Sequence, residues 1–111
     1  MATYKVNYEY LDNGVASVNL CDGPSLSWVK AWYTFHNKNV FEIHEAAEWE
    51  IREATDKGMP RTKVPDSFPE DVTNDRILKV LCDLVDEEGD DDPVLVDRVH
   101  EIMDAINEER I

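Results

Sequence analysis

The chain has 111 residues, of which 42% are hydrophobic, and its 25 acidic against 11 basic residues give a formal net charge of −14. This length fits one domain, and the apolar fraction is sufficient for a packed core that needs neither metals nor disulfides. Because such an acidic surface repels phosphates, the composition excludes direct binding to nucleic acid through basic patches and disfavours anionic membranes.

The compartment expected from the sequence is the cytoplasm. No apolar run is long enough for a transmembrane helix, and the first residues lead into an alternation of polar and apolar side chains that is unlike a signal peptide. Disulfides are rare in that compartment, so we expect Cys21 and Cys82 to be free thiols.

The first elements predicted are the two strands of a β-hairpin. Alternating runs flank Asp12-Asn13-Gly14, which has the composition of a turn. A three-residue loop with Gly14 in the left-handed conformation collects the apolar side chains on one face and leaves the polar ones toward solvent. The cross-strand pairs in this register are Tyr10 with Ala16, Tyr8 with Val18 and Val6 with Leu20.

A third strand is predicted from Ser27 to His36, after a Gly23-Pro24 turn, because this run is rich in aromatic and β-branched residues. Trp28 and Trp32 would share one face of the strand. Two interpretations stay open for them. They either pack half-buried under a loop, which the usual burial of tryptophan favours, or form an exposed patch that contacts a partner.

A helix is predicted over about residues 40–57. Asn39 followed by Glu42 resembles a capping box, apolar residues recur at helical spacing, and Gly58 is typical of a helix end. His44 would lie on the surface of this helix. The segment H-E-A-A-E that His44 begins lacks the second histidine of the zinc-binding pattern H-E-x-x-H, so no metal site is predicted there.

An extended surface loop over 59–73, with three prolines, is followed by two predicted helices at about 74–88 and 93–109. Thr73 or Asn74 would cap the first helix, and Asp92-Pro93 would begin the second. The short link predicts that they pack as antiparallel neighbours.

The predicted architecture is a single α+β domain over 1–111. Residues 1–58 would form a three-stranded antiparallel sheet (about 3–36) packed by one helix, and residues 74–111 an acidic helical hairpin.

The negative charge is concentrated in this predicted hairpin. Residues 1–65 hold nine acidic and seven basic side chains, whereas residues 66–111 hold sixteen and four. Seven acids crowd the helix junction: Asp83, Asp86, Glu87, Glu88, Asp90, Asp91 and Asp92. The helix dipole stabilises Asp90, Asp91 and Asp92 at the N-terminus of the second helix. It destabilises the acids at 86–88, at the C-terminus of the first, by about 0.3–1 kcal/mol each. The cluster is therefore either a partner-binding surface or a solvated turn.

Calcium is an alternative ligand for these carboxylates. A loop of the EF-hand type beginning at Asp86 requires glycine at its sixth position and glutamate at its twelfth, where this chain has Asp91 and Asp97. Specific calcium binding is therefore disfavoured, although a loosely held divalent ion stays open. We find no motif for a nucleophile or a phosphate, and we predict neither a cofactor nor catalytic residues.

The function expected from these features is that of a small non-enzymatic inhibitor. Its acidic hairpin would occupy the basic groove of a nucleic-acid-binding protein as a phosphate mimic, with the tryptophans or the 59–73 loop as apolar anchors. Small acidic anti-restriction and anti-CRISPR proteins of phages share this size and charge class, but no motif links the chain to them. The alternatives are an immunity or antitoxin protein that neutralises a basic nuclease, an acidic housekeeping domain, and a small enzyme.

Overall fold

The computed structural model describes residues 2–59, 61–88 and 93–109. In these ranges the elements are β1 (Ala2–Tyr10), β2 (Ala16–Gly23), α1 (Leu26–Phe35), β3 (Lys38–Glu45), α2 (Glu48–Asp56), β4 (Arg61–Lys63), α3 (Asn74–Glu88) and α4 (Pro93–Glu109). The strand order is β3-β1-β2-β4, with β4 parallel to β2 and the other pairs antiparallel. The α+β class and the C-terminal helix pair are confirmed.

The third predicted strand is wrong, because residues 26–35 form helix α1. The Trp28 N–H donates to the hydroxyl of Ser25 at 3.1 Å, which caps the helix N-terminus. Helix α1 lies between the sheet and the C-terminal helix pair and buries side chains on almost every side. This burial explains why the run is so apolar that no helical period stands out in its sequence.

The third strand is β3, which occupies the first half of the helix predicted at 40–57. Asn39 forms no capping box there, since its side-chain amide donates across the sheet to Glu9 at 3.0 Å. Helix α2 begins only at Glu48, and the Glu50 carboxylate accepts a hydrogen bond from the Ala47 N–H at 3.1 Å. Gly58 has the left-handed φ of 70° expected after the helix end.

The predicted register of the first hairpin is wrong by one residue. The Tyr10 N–H donates to the Val15 carbonyl at 3.0 Å, so the loop has four residues, although Gly14 is left-handed as predicted. The apolar pattern misleads here because both faces of the sheet are covered. Leu20 lies opposite Lys5 and is 2% exposed, since α2 packs over that face while α1 covers the other.

Apart from residue 60, which lies outside the described residues, the predicted loop at 59–73 is irregular except for β4, which extends the sheet beside β2. Its later part is tied to α1, because the Trp28 indole N–H donates to the Pro65 carbonyl at 2.8 Å.

Helices α3 and α4 have the predicted bounds, and the Thr73 hydroxyl accepts the Arg76 N–H at 3.4 Å as a cap. The cap predicted at Asp92 lies outside the described residues. The buried side chains of the pair are Ile77, Val80, Leu81, Leu84, Leu95, Ile102 and Ile106. In the described ranges, no helix combines the length and apolarity that crossing a bilayer requires.

Candidate functional site

The acidic cluster predicted at 83–92 is described in its first half. Asp83, Asp86 and Glu87 lie exposed on the last turns of α3. Glu88 ends that helix, and its side chain lies outside the description, as do Asp90, Asp91 and Asp92. The described part of the candidate site therefore consists of three exposed carboxylates on one helix end.

The helix carrying these carboxylates does little to stabilise them. The last turn of α3 has no basic residue, so the helix dipole opposes the charges of Asp86 and Glu87. The side-chain carboxylates of Asp83 and Asp86 form neither a hydrogen bond nor an ion pair with the part of the chain that the structure describes. These two charges are therefore available to a partner.

Asp83 and Glu87 border a groove between α1, β3 and α3, with a cavity volume of about 210 Å³. The residues that line the groove come from all three elements, and its apolar side chains come from β3 and α3. Its lining is Lys30, Thr34, Asn39, Val40, Val80, Asp83, Leu84 and Glu87. The groove thus combines an apolar surface with carboxylates at the end of α3.

Lys30 offsets part of this negative charge from within the chain. Its Nζ atom lies 3.7 Å from a carboxylate oxygen of Glu87, whose side chain is largely exposed. Exposed ion pairs contribute about 0–1 kcal/mol, so this contact can exchange for one with a partner at little cost. Asp83 has no such counterion among the described residues.

Helix α4 carries a second row of exposed carboxylates that the sequence reasoning did not single out. The row is Asp97, Glu101, Asp104 and Glu108. Spacings of four, three and four residues place all four on one face of the helix, and this spacing is readable in the sequence alone. Arg98 partly neutralises the row, because its guanidinium donates to Glu101 at 2.6 Å and also binds Asp66.

The two tryptophans predicted as partner contacts lie in helix α1. Trp28 is 0% exposed and packs edge-on against Phe35 and Phe68, which agrees with the packing interpretation and leaves it no surface for a partner. Trp32 is half-buried beside Phe35 and His36. The exposed tryptophan is Trp49 of α2, at 66%, which the sequence analysis did not single out.

The remaining polar clusters tie elements of the fold together. His44 lies in β3, not on a helix, and its Nε2 atom is 3.0 Å from a carboxylate oxygen of Glu50 on α2. Arg76 of α3 donates to the side-chain oxygen of Asn37 at 2.6 Å, which holds the turn between α1 and β3. Within the described ranges, no three potential metal ligands come together.

Comparison with known proteins gives no guide to function: no family model matches the chain, and no curated protein or solved structure is significantly similar to it. The function is therefore argued from the residues of the site.

Proposed function

We propose that this protein is a small non-enzymatic inhibitor that binds, through the acidic end of α3, a basic surface that its partner uses for nucleic acid. One observation carries the proposal. Asp83, Asp86 and Glu87 stay exposed at a helix C-terminus that has no basic residue in its last turn, where lysine or arginine would stabilise the helix. Carboxylates in this position destabilise the helix, but they can form favourable contacts with basic side chains of a partner.

The mode of inhibition is exclusion of nucleic acid. Helix residues three or four positions apart lie about 5–6 Å from one another, so the carboxylates of α3 form a closely spaced row of negative charges. A basic groove that releases counterions to bind phosphates attracts such a row in the same way. The exposed carboxylates on α4 add further negative charge to the C-terminal helix pair. Small acidic inhibitors of phage origin belong to this class of size and charge.

Charge alone mainly increases the association rate and the selectivity, so an apolar contact is expected beside it. The buried Trp28 cannot supply that contact. Met103 is 48% exposed and lies on α4 itself, so we propose it as an anchor in place of the tryptophans.

The test is capture of partners from a cell lysate on the immobilised protein, followed by competition with duplex DNA. The captured protein should bind nucleic acid, and higher salt should weaken the complex. Neutralising three carboxylates in Asp83→Asn/Asp86→Asn/Glu87→Gln should weaken binding roughly tenfold or more.

The matched control is Glu48→Gln/Glu53→Gln/Asp56→Asn, which removes the same charge from the exposed side of α2. This variant should bind like the unmodified protein. Full binding by the α3 variant, or undisturbed DNA binding by the captured protein, would overturn the proposal. Capture of a single nuclease with very slow dissociation would instead favour an immunity protein.

A further inference from the structure

We propose that the groove between α1, β3 and α3 receives one arginine side chain of the partner, an inference that rests on the proposed function. The cavity volume of about 210 Å³ is below the roughly 300–1,000 Å³ of ordinary small-molecule sites. It suits one long side chain better than a nucleotide or a helix. We therefore expect a single side chain of the partner to enter the groove.

The lining of the groove matches both parts of an arginine side chain. Val40, Val80 and Leu84 offer apolar surface to the methylene stem, which such side chains bury while the charged end stays near water. The exposed Asp83 carboxylate can accept two parallel N–H bonds from a guanidinium.

Lys30 shows where a cation is held in this groove. Its ammonium lies 3.7 Å from the Glu87 carboxylate, so the chain already places one positive charge at the end of α3. A guanidinium is more weakly hydrated than an ammonium and lies flat on apolar surface, so an incoming arginine competes well for the same carboxylates. Asp83 then supplies the contact that Lys30 does not make in the structure.

The experiment titrates N-acetyl-arginine methylamide into the full-length ¹⁵N-labelled protein and follows the backbone amide signals by NMR. We expect saturable shifts that are confined to groove residues such as Thr34, Val80 and Asp83. The corresponding citrulline derivative, which has the same shape without the charge, should cause none. Asp83→Asn should weaken binding roughly tenfold, because a charged hydrogen-bond pair is lost.

Two matched pairs of variants separate the contribution of the groove from that of the total charge. Asp75→Asn removes the same charge from an exposed position of α3 outside the groove and should leave binding unchanged. Lys30→Met should tighten binding about two- to fivefold by removing the internal competitor, whereas Lys57→Met on α2 should not. A cooperative thermal unfolding transition in the Asp83 and Asp75 variants shows that both are folded.

Equal weakening by Asp83→Asn and Asp75→Asn, or shifts spread along both acidic helices, would overturn the groove proposal. The inhibitory function would survive that result, since total charge could still exclude nucleic acid. Conversely, failure to compete with DNA for any captured partner would overturn the proposed function even if the arginine derivative bound in the groove.

Discussion

A β-carbon built on Gly23 would lie 2.4 Å from the Cγ2 atom of Val29. Helix α1 therefore packs so closely on the end of β2 that only glycine fits between them. Lys30 is the next residue of the helix, so the contact between Gly23 and Val29 also fixes the part of α1 from which the Lys30 ammonium reaches Glu87. The tight packing of one helix on the sheet is thus linked to the geometry of the acidic groove.

Gly23→Ala should lower the free energy of unfolding by about 1–3 kcal/mol, the usual cost of overpacking a core. Urea denaturation measures this difference. Adding Val29→Ala should restore part of the loss, since it removes the methyl group that the new β-carbon meets. Wild-type stability of Gly23→Ala would show that α1 does not approach β2 as described.

Asp22 should make stability depend on pH at the acidic end. Its carboxylate accepts the Thr3 hydroxyl at 2.5 Å and two N–H groups of Arg61 at 3.0 and 3.1 Å, and these bonds lower its pKa. The stabilisation is therefore present above the unfolded-state pKa and is lost as the pH falls through the lowered folded-state value. Asp22→Asn should cost about 0.5–1 kcal/mol near neutral pH, and the difference from wild type should shrink as the pH falls through the lowered folded-state value. A difference that stays constant on acidification would contradict the assigned role.

The three tryptophans should differ in access to a neutral quencher. Trp49→Phe should remove most of the fluorescence that acrylamide quenches, because Trp49 is 66% exposed. Trp28→Phe should leave the amplitude of the quenchable component intact but lower the free energy of unfolding by about 1–3 kcal/mol, since the Pro65 carbonyl loses its donor. Strong quenching of Trp28 would restore it as a candidate surface residue.

The two thiols should react at very different rates. Cys82 is exposed, whereas Cys21 is buried, and burial raises the pKa of the Cys21 thiol. Since the thiolate is the reactive form, a thiol reagent should modify one cysteine quickly and the second only on unfolding. Cys82→Ser should abolish the fast phase. Rapid reaction of that variant would show that the core around Cys21 opens readily.

The C-terminal helices could be predicted to the residue because their signals agree with one another. Each has an apolar stripe at helical spacing, and Thr73 and Pro93 are typical of helix starts. Helix α1 could not be predicted in this way, because contacts on nearly all sides replace the stripe with a continuous apolar run. Strand β3 could not be predicted for a different reason. Val40 and Ile43 lie in the strand and Ala47 lies beyond its end, yet the three residues recur at helical spacing.

The acidic surface could be located from the sequence, but the groove could not. Exposure of Asp83 and Asp86 follows from their charge and their place on a predictable helix. The groove also includes Lys30 and Asn39, which lie far from α3 in the sequence. Both belong to segments whose secondary structure the sequence pattern predicts wrongly. Only the packing of α1 between the sheet and α3 brings these residues together.

Displacement of DNA is the measurement that tests the central claim most directly. Labelled duplex DNA is bound to the captured partner, and its fluorescence polarisation is followed as the protein or a variant is added. DNA should be released by the unmodified protein and by the α2 variant Glu48→Gln/Glu53→Gln/Asp56→Asn. The α3 variant Asp83→Asn/Asp86→Asn/Glu87→Gln should require a concentration roughly tenfold higher or more for the same release. Equal displacement by all three proteins would contradict the account.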